Sequence, residues 1–255
     1  MDATLYGAIF GGFMRIWLLV VAGLLGGAAQ SQIAPSEQEL LGYRGLMAAA
    51  AQGDTGSISQ LAGNAEQREQ RDGNGRTALI VATFRKQHGA IKALLAAGAS
   101  TAALDQQKYD AVTVAAVADD PQTLKILLDG GASAKLITSV YDGTALIAAA
   151  HLGHEEVVRL LIAAGAPLDH ANNLGWTALM ESIVLGNGGP RHQATLRYLM
   201  QAGASPAGCG LLAAALVQLE GAAQAAALPL GLLERDADPF GTDANQRTPL
   251  HLATR

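Results

Sequence analysis

Four short stretches carry residue types that could do chemistry. His151, His154 and Glu155 read H-x-x-H-E, two imidazoles and a carboxylate within five positions. A zinc hydrolase helix places them as H-E-x-x-H or H-x-x-E-H, so that ligands and base share one helical face. Neither order is present, and Gly153 sets a turn between the two histidines. The run "DGNG" from position 72 offers an acid and an amide. A calcium loop needs oxygen ligands at its first, third and fifth positions and glycine at the sixth, whereas here the fifth is Arg76. "GNGGP" from position 186 has the glycines of a phosphate loop but no Lys-Ser/Thr after them. Cys209 is the one cysteine, so no disulfide can form within the chain. A G-x-S-x-G elbow and a nucleophile with a base beside it are both missing. The residues point to no enzyme, no metal and no cofactor.

The elements that carry these stretches repeat. "GRTALIVATFRKQHGAIKALLAAGAS", "DGTALIAAAHLGHEEVVRLLIAAGAP" and "GWTALMESIVLGNGGPRHQATLRYLMQAGAS" each hold Thr-Ala-Leu, a short apolar helix, a turn, a second helix and Gly-Ala. The threonine falls at Thr77, Thr144, Thr177 and Thr248, with Asp110 and Ala215 in its place between them. The spacing is 33 or 34 residues except for one gap of 38. Counting back from Thr77 lands on Arg44, ahead of "GLMAAAAQGD", a degenerate first helix. The closing glycine falls at Gly98, Gly131, Gly165 and Gly203, with Asp236 at the next site. A left-handed helix cap suits it. In "EEVVRLLIAAGA", Val157, Val158, Leu160, Leu161 and Ile162 form a broad apolar stripe. So short a helix is marginal alone. Stacking it on the same stripe of the next unit buries both and builds one continuous core.

Composition agrees. Of 255 residues 50% are apolar and only 4% aromatic, which suits small, close-packed helices better than a β-sandwich. The net charge of −5 gives no basic footprint for nucleic acid. Met14 and Arg15 precede the apolar run "IWLLVVAGLLGG" and the small residues "AAQSQ". This order is that of a secretory signal peptide over residues 1–31, with Met14 as the expected true start. The competing reading joins residues 5–29 into one membrane anchor, with Arg15 as its costly interruption.

Thr248-Pro249-Leu250-His251-Leu252-Ala253, Gly153-His154-Glu155-Glu156-Val157-Val158 and "LLERDADP" at 232–239 resemble the signature motifs of the ankyrin repeat. The resemblance covers residues 44–255, after a linker or cap at 32–43. It implies an all-α solenoid of stacked helix-turn-helix units with β-turn fingers, used to bind other proteins. About five full repeats and a truncated last one are expected. The unit at 206–239 is degenerate, because Pro229 and Gly231 fall within its second helix. The insert at 187–191 is expected to lengthen a loop between two helices.

In the resembled fold, partners are held by finger tips and by the concave side of the first helices. Carried over by position, the finger-tip residues are Arg76, Tyr109, Trp176 and Arg247. Those on the first helices are Phe84, Arg85, His151, Leu152, Val184 and Leu185. Trp, Tyr and Arg are frequent interface hot spots, each combining large area with a polar handle. The expected function is an exported, periplasmic or secreted, non-catalytic module that binds another protein. An inhibitor or protective chaperone of an exported enzyme and a membrane-tethered scaffold are the alternatives.

Overall fold

The computed structural model describes residues 32–184 and 189–205. Helix α1 spans Glu37–Gly42, and five helix pairs follow it. Repeat 1 pairs α2 (Gly45–Gln52) with α3 (Thr55–Leu61); a one-turn helix, α4 (Ala65–Arg68), leads on to repeat 2, which pairs α5 (Ala78–Phe84) with α6 (His88–Ala96). Repeat 3 pairs α7 (Ala111–Val117) with α8 (Pro121–Asp129). Two short strands, β1 (Ile137–Thr138) and β2 (Gly143–Thr144), pair antiparallel before repeat 4, α9 (Ala145–Leu152) and α10 (Glu155–Ala163). Repeat 5 pairs α11 (Ala178–Val184) with α12 (Pro190–Gln201). First helices pack on first helices and second on second, each row touching its neighbour along the chain. This is the stacked solenoid that the resemblance implied.

The marker residue is the N-cap of each first helix. The Thr77, Thr144 and Thr177 hydroxyls accept from the amides of Ile80, Ile147 and Met180. Asp110 does the same work for Thr113 at 2.8 Å, so its departure from threonine preserves the cap. Each such bond is worth about 1 kcal/mol. The closing glycines all sit at positive φ just beyond the second helix. In each, the following amide reaches back to the helix, as in Ala166 N–H to Leu161 O at 3.0 Å, while Gly165 N–H donates to Ile162 O. These paired bonds are the Schellman motif, repeated in α6, α8, α10 and α12.

Small residues let the first helices approach. Ala49, Ala82, Ala115 and Ala149, then Ser182, occupy one equivalent, buried position. Leu46, Leu79, Val112, Leu146 and Leu179 fill the neighbouring one. Between the two helices of a repeat the chain turns through a left-handed residue, Gly53, Lys86, Asp119 and Gly153 in succession. At Gly153 a Cβ would also stand 2.8 Å from the His192 ring, so a side chain of the kind carried by Lys86 and Asp119 would here have to displace that ring.

The insert departs from expectation. It does not simply lengthen a loop. Pro190 opens α12, which runs for 12 residues where α6, α8 and α10 run for nine. Proline is preorganised for the first helical position, and it converts the end of the insert into an added turn of helix. Arg191, in that turn, forms an ion pair with Asp119 of repeat 3. The degenerate unit at 206–239, the chain end and Cys209 lie outside the described residues, as does the segment 1–31. Among the described residues no helix is long and apolar enough to cross a membrane.

Candidate functional site

Each finger is a turn closed by the side chain of its own first residue. Asp72 Oδ1 accepts from the amides of Asn74 and Arg76, both at 2.9 Å. Asp105 takes the amides of Gln107 and Tyr109, and Asn172 those of Leu174 and Trp176. Ser139 serves the third finger with longer bonds to Tyr141 and Gly143. Acids, amides and serine favour such turns because a short side chain can stand in for a backbone acceptor. Successive fingers are laced together: Gln106 N–H donates to Asn74 O, Ser139 N–H to Lys108 O and Asn173 N–H to Tyr141 O.

Burial corrects two of the expected finger-tip residues. Arg76 and Trp176 do not face outward. Arg76 is fully buried and Trp176 is 8% exposed. Arg76 lies in a polar cluster. Its Nε donates to Asp72 Oδ2 at 2.6 Å and its Nη2 to Glu39 and to the Tyr43 hydroxyl. Tyr43 in turn donates to Asp72 Oδ2 at 2.6 Å, and the Asn74 amide donates to Glu39 Oε1 at 2.7 Å.

The charges respond. The Ser36 amide, foremost, and then the Ser36 hydroxyl and the Arg76 charge hold the Glu39 carboxyl at about 2, against the opposing effect of burial. Burial works against the Asp72 charge, but the bonds from Tyr43 and Arg76 outweigh it and lower its pKa. Burial, reinforced by the bond to Asp72, pushes the Tyr43 hydroxyl up.

The remaining expected residues divide. Tyr109 is half-buried, and burial followed by the Asp105 charge raises its pKa. Phe84 is half-buried and Arg85 exposed. His151 and Leu152 end α9, the first half-buried and the second exposed. The backbone of Val184 ends α11. Leu185 and Arg247 lie outside the described residues.

The structure adds a group that the repeat alignment missed. Glu181 of α11 is 5% exposed, where Val81, Val114 and Ala148 stand in the preceding repeats. Its Oε2 lies 3.0 Å from His151 Nδ1, and its Oε1 accepts from Asn172 Nδ2 at 3.0 Å. A buried carboxylate needs such partners. The consequence for His151 is a fixed ring: Nδ1 faces Glu181, which turns Nε2 away from it. The same two repeats carry exposed apolar side chains. Val140 and Leu174 cap adjacent fingers, Ile137 lies on the β1 strand leading into the first of them, and Leu152 follows His151. At the fingers of repeats 2 and 3 the corresponding tips are Gly73, Asn74, Gln106 and Gln107. The signal was present in the sequence as a break in the template: an acid inside "ALMESIV", and "SVYDG" where "DGNG" and "DQQK" stand elsewhere. Among the described residues, no three His, Cys, Asp or Glu side chains are grouped to hold a metal ion.

The fold and this surface together define a repeat protein that presents side chains along a stacked scaffold. The family profile described as "Ankyrin repeats (3 copies)" matches residues 46–138 and 112–207. The chain belongs to the ankyrin-repeat family, whose members generally bind other proteins. It is 32% identical over 136 residues to YahD of Escherichia coli (strain K12), described as an ankyrin repeat protein; the match covers 53% of this chain and 67% of YahD. It is 36% identical over 164 residues to Protein PhlB of Serratia liquefaciens, covering 64% and 72% of the two chains. Among solved structures, an ankyrin repeat domain from Acinetobacter baumannii AYE superposes with a TM-score of 0.65 at 37% identity, covering 73% of this chain and 96% of that one.

Proposed function

We propose that this chain is an exported, non-catalytic module that captures a protein partner on the finger and first-helix surface of repeats 4 and 5. The observation that carries the reading is the pair of exposed apolar tips, Val140 and Leu174, on fingers laced together through Asn173, in the same two repeats as the exposed Ile137 and Leu152 and the histidine held by a buried carboxylate. Exposed apolar side chains scattered singly mean little, whereas a group of them rimmed by polar residues marks an interaction surface. His151 would supply the polar contact that fixes the orientation of the partner, with Tyr109, Phe84 and Arg85 extending the contact toward repeat 2. Glu181 and Asn172 act through His151, by positioning it. Within this reading the partner is an exported protein, and the module is its inhibitor or protective chaperone if that partner is an enzyme.

Export rests on Arg15, the apolar run after it and the small residues that end it. Periplasmic or secreted is the proposed location, and residues 5–29 retained as an anchor are the second reading. Sequencing the N-terminus of the mature protein separates them: a start near residue 30 supports export and cleavage, and a start at Met1 or Met14 overturns it. For the surface, the paired substitutions Val140→Asp and Leu174→Asp are compared with wild type in stoichiometric capture from an extract of the exported fraction. Capture of a protein by wild type and not by the double variant supports the surface. Equal capture by both overturns it.

A further inference from the structure

Helix α1 is attached in an unusual way. It buries none of its residues, and Leu41 is 79% exposed. Apolar burial, the usual reason for a short helix to dock, is small here. Among the residues of α1, the hydrogen bonds and ion pairs that join a side chain to the stack all run through Glu39. The receiving groups are better buried than the guest. Arg76 is fully buried and Asp72 has 7% side-chain exposure, against 31% for Glu39. Tyr43, two residues before α2, closes α1 with its amide bonds to Glu39 O and Leu40 O and donates its hydroxyl to Asp72. Asp72 holds the Arg76 guanidinium from its far side, so the arrangement is a socket made of that guanidinium and the Asn74 amide, with one carboxylate set in it. Among the described residues the other fingers lack such a socket: Tyr109, Gly143 and Trp176 stand where repeat 2 has Arg76.

We infer that the first finger, at residues 72–76, is a carboxylate-binding site that Glu39 fills from within the chain, and that an acidic side chain of a partner segment competes for it when α1 lifts away. The recognition is charge-assisted and directional. Arg76 and Asn74 both donate to Glu39 Oε1, while Oε2 is taken by the Ser36 amide and hydroxyl at 2.8 Å. A guest therefore needs one free carboxylate oxygen, and a glutamate near the start of a short helix supplies it. The site lies at the opposite end of the stack from repeats 4 and 5 and stands independently of the reading given to them.

Glu39→Gln in the full chain is the direct test. Glutamine serves as well as glutamate in a capping box, so α1 keeps its start while the guest charge is lost. A synthetic peptide of sequence SEQELLG, residues 36–42, is titrated against wild type and E39Q, along with the same peptide carrying glutamine for its second glutamate. Binding is read from the Tyr43 ring resonances. The glutamate peptide is expected to bind E39Q at least about tenfold more tightly than it binds wild type, and about tenfold more tightly than the glutamine peptide binds E39Q. No binding to E39Q, or equal affinity for the two peptides, overturns the inference. A second measurement needs no variant: cleavage of wild type after Glu37 and Glu39 by a glutamate-specific protease, normalised to cleavage after Glu66. Raising salt from about 0.05 to about 1 M should speed it at least about fivefold, because screening weakens the pair that holds α1. A rate that salt leaves unchanged shows that α1 is not held by charge, and overturns the inference as well.

Discussion

The finger of repeat 2 and the fingers that open repeats 4 and 5 share one turn geometry and use it oppositely. In the first, every polar group is turned inward and paired: Asp72 with Arg76 and Tyr43, Asn74 and Arg76 with Glu39. In the others the turn-closing residues are neutral, Ser139 and Asn172, and the tips are Val140 and Leu174. An interior-like polar cluster is selective in what it pairs with, because a position left empty is a buried charge without its partner. An apolar tip in water commits to nothing until something covers it. One region is thus organised around directional, charge-assisted pairing and the other around apolar contact, although the backbone scarcely distinguishes them.

The comparison can be broken most forcefully at Arg76. Arg76→Ala leaves the Asp72 carboxylate buried without its cation, and urea unfolding should register a loss of about 3–5 kcal/mol. A loss near zero would mean that the cluster does not organise the finger. Val140→Asp with Leu174→Asp should do the reverse, changing stability by about 0.5 kcal/mol or less while weakening partner binding at least about tenfold. A large stability loss with binding intact would remove repeats 4 and 5 from the contact role.

Two threonines give a smaller contrast. Thr123 and Thr195 occupy one position of the second helix, both fully buried. Thr123 Oγ1 donates to Asp120 Oδ2 at 2.8 Å and lies 3.1 Å from His88 Nε2, whereas Thr195 Oγ1 has no partner. Valine, the residue at this position in repeat 4, should therefore destabilise by about 1 kcal/mol as Thr123→Val and stabilise by a similar amount as Thr195→Val. Thermal unfolding of the two variants checks both signs at once.

The smallest effect is expected from acid. The carboxyls of Glu39 and Asp72 are lowered in the folded chain, so the stability they contribute is fully present above their unfolded values. It is lost as pH falls through the folded ones, about 2 for Glu39. Between about pH 4.5 and pH 2 the resonances of α1 should shift ahead of those of α9 and α11. Simultaneous loss would remove the special standing of the first finger.

What could be read in the sequence was whatever chemistry acts within a few residues. Thr77, Asp110, Thr144 and Thr177 cap helices, and the closing glycines adopt a left-handed turn, for local reasons that any 33-residue window displays. Side-chain direction was not legible. Arg76 and Trp176 sit at a position that looks outermost by count, but both are buried, Arg76 by polar partners as distant in sequence as Glu39 and Tyr43. The added turn of α12 was missed because "GNGGPR" reads as loop until Pro190 is recognised as a helix start. Glu181 was passed over because the repeat frame predicts an apolar residue there, and its partners, His151 and Asn172, lie 30 and nine residues away.

The ion pair between Arg191 and Asp119 skips a unit. Stacked repeats ordinarily obey a nearest-neighbour rule, in which each unit feels only the two beside it. An exposed pair adds little free energy, yet this one connects repeat 5 directly to repeat 3 across repeat 4. Under a pulling force applied at the C-terminal side, load then reaches repeat 3 by two routes, one through the core and one along the outside. The stack gains a next-nearest-neighbour contact, a small bias on the order in which its units come apart rather than a new order.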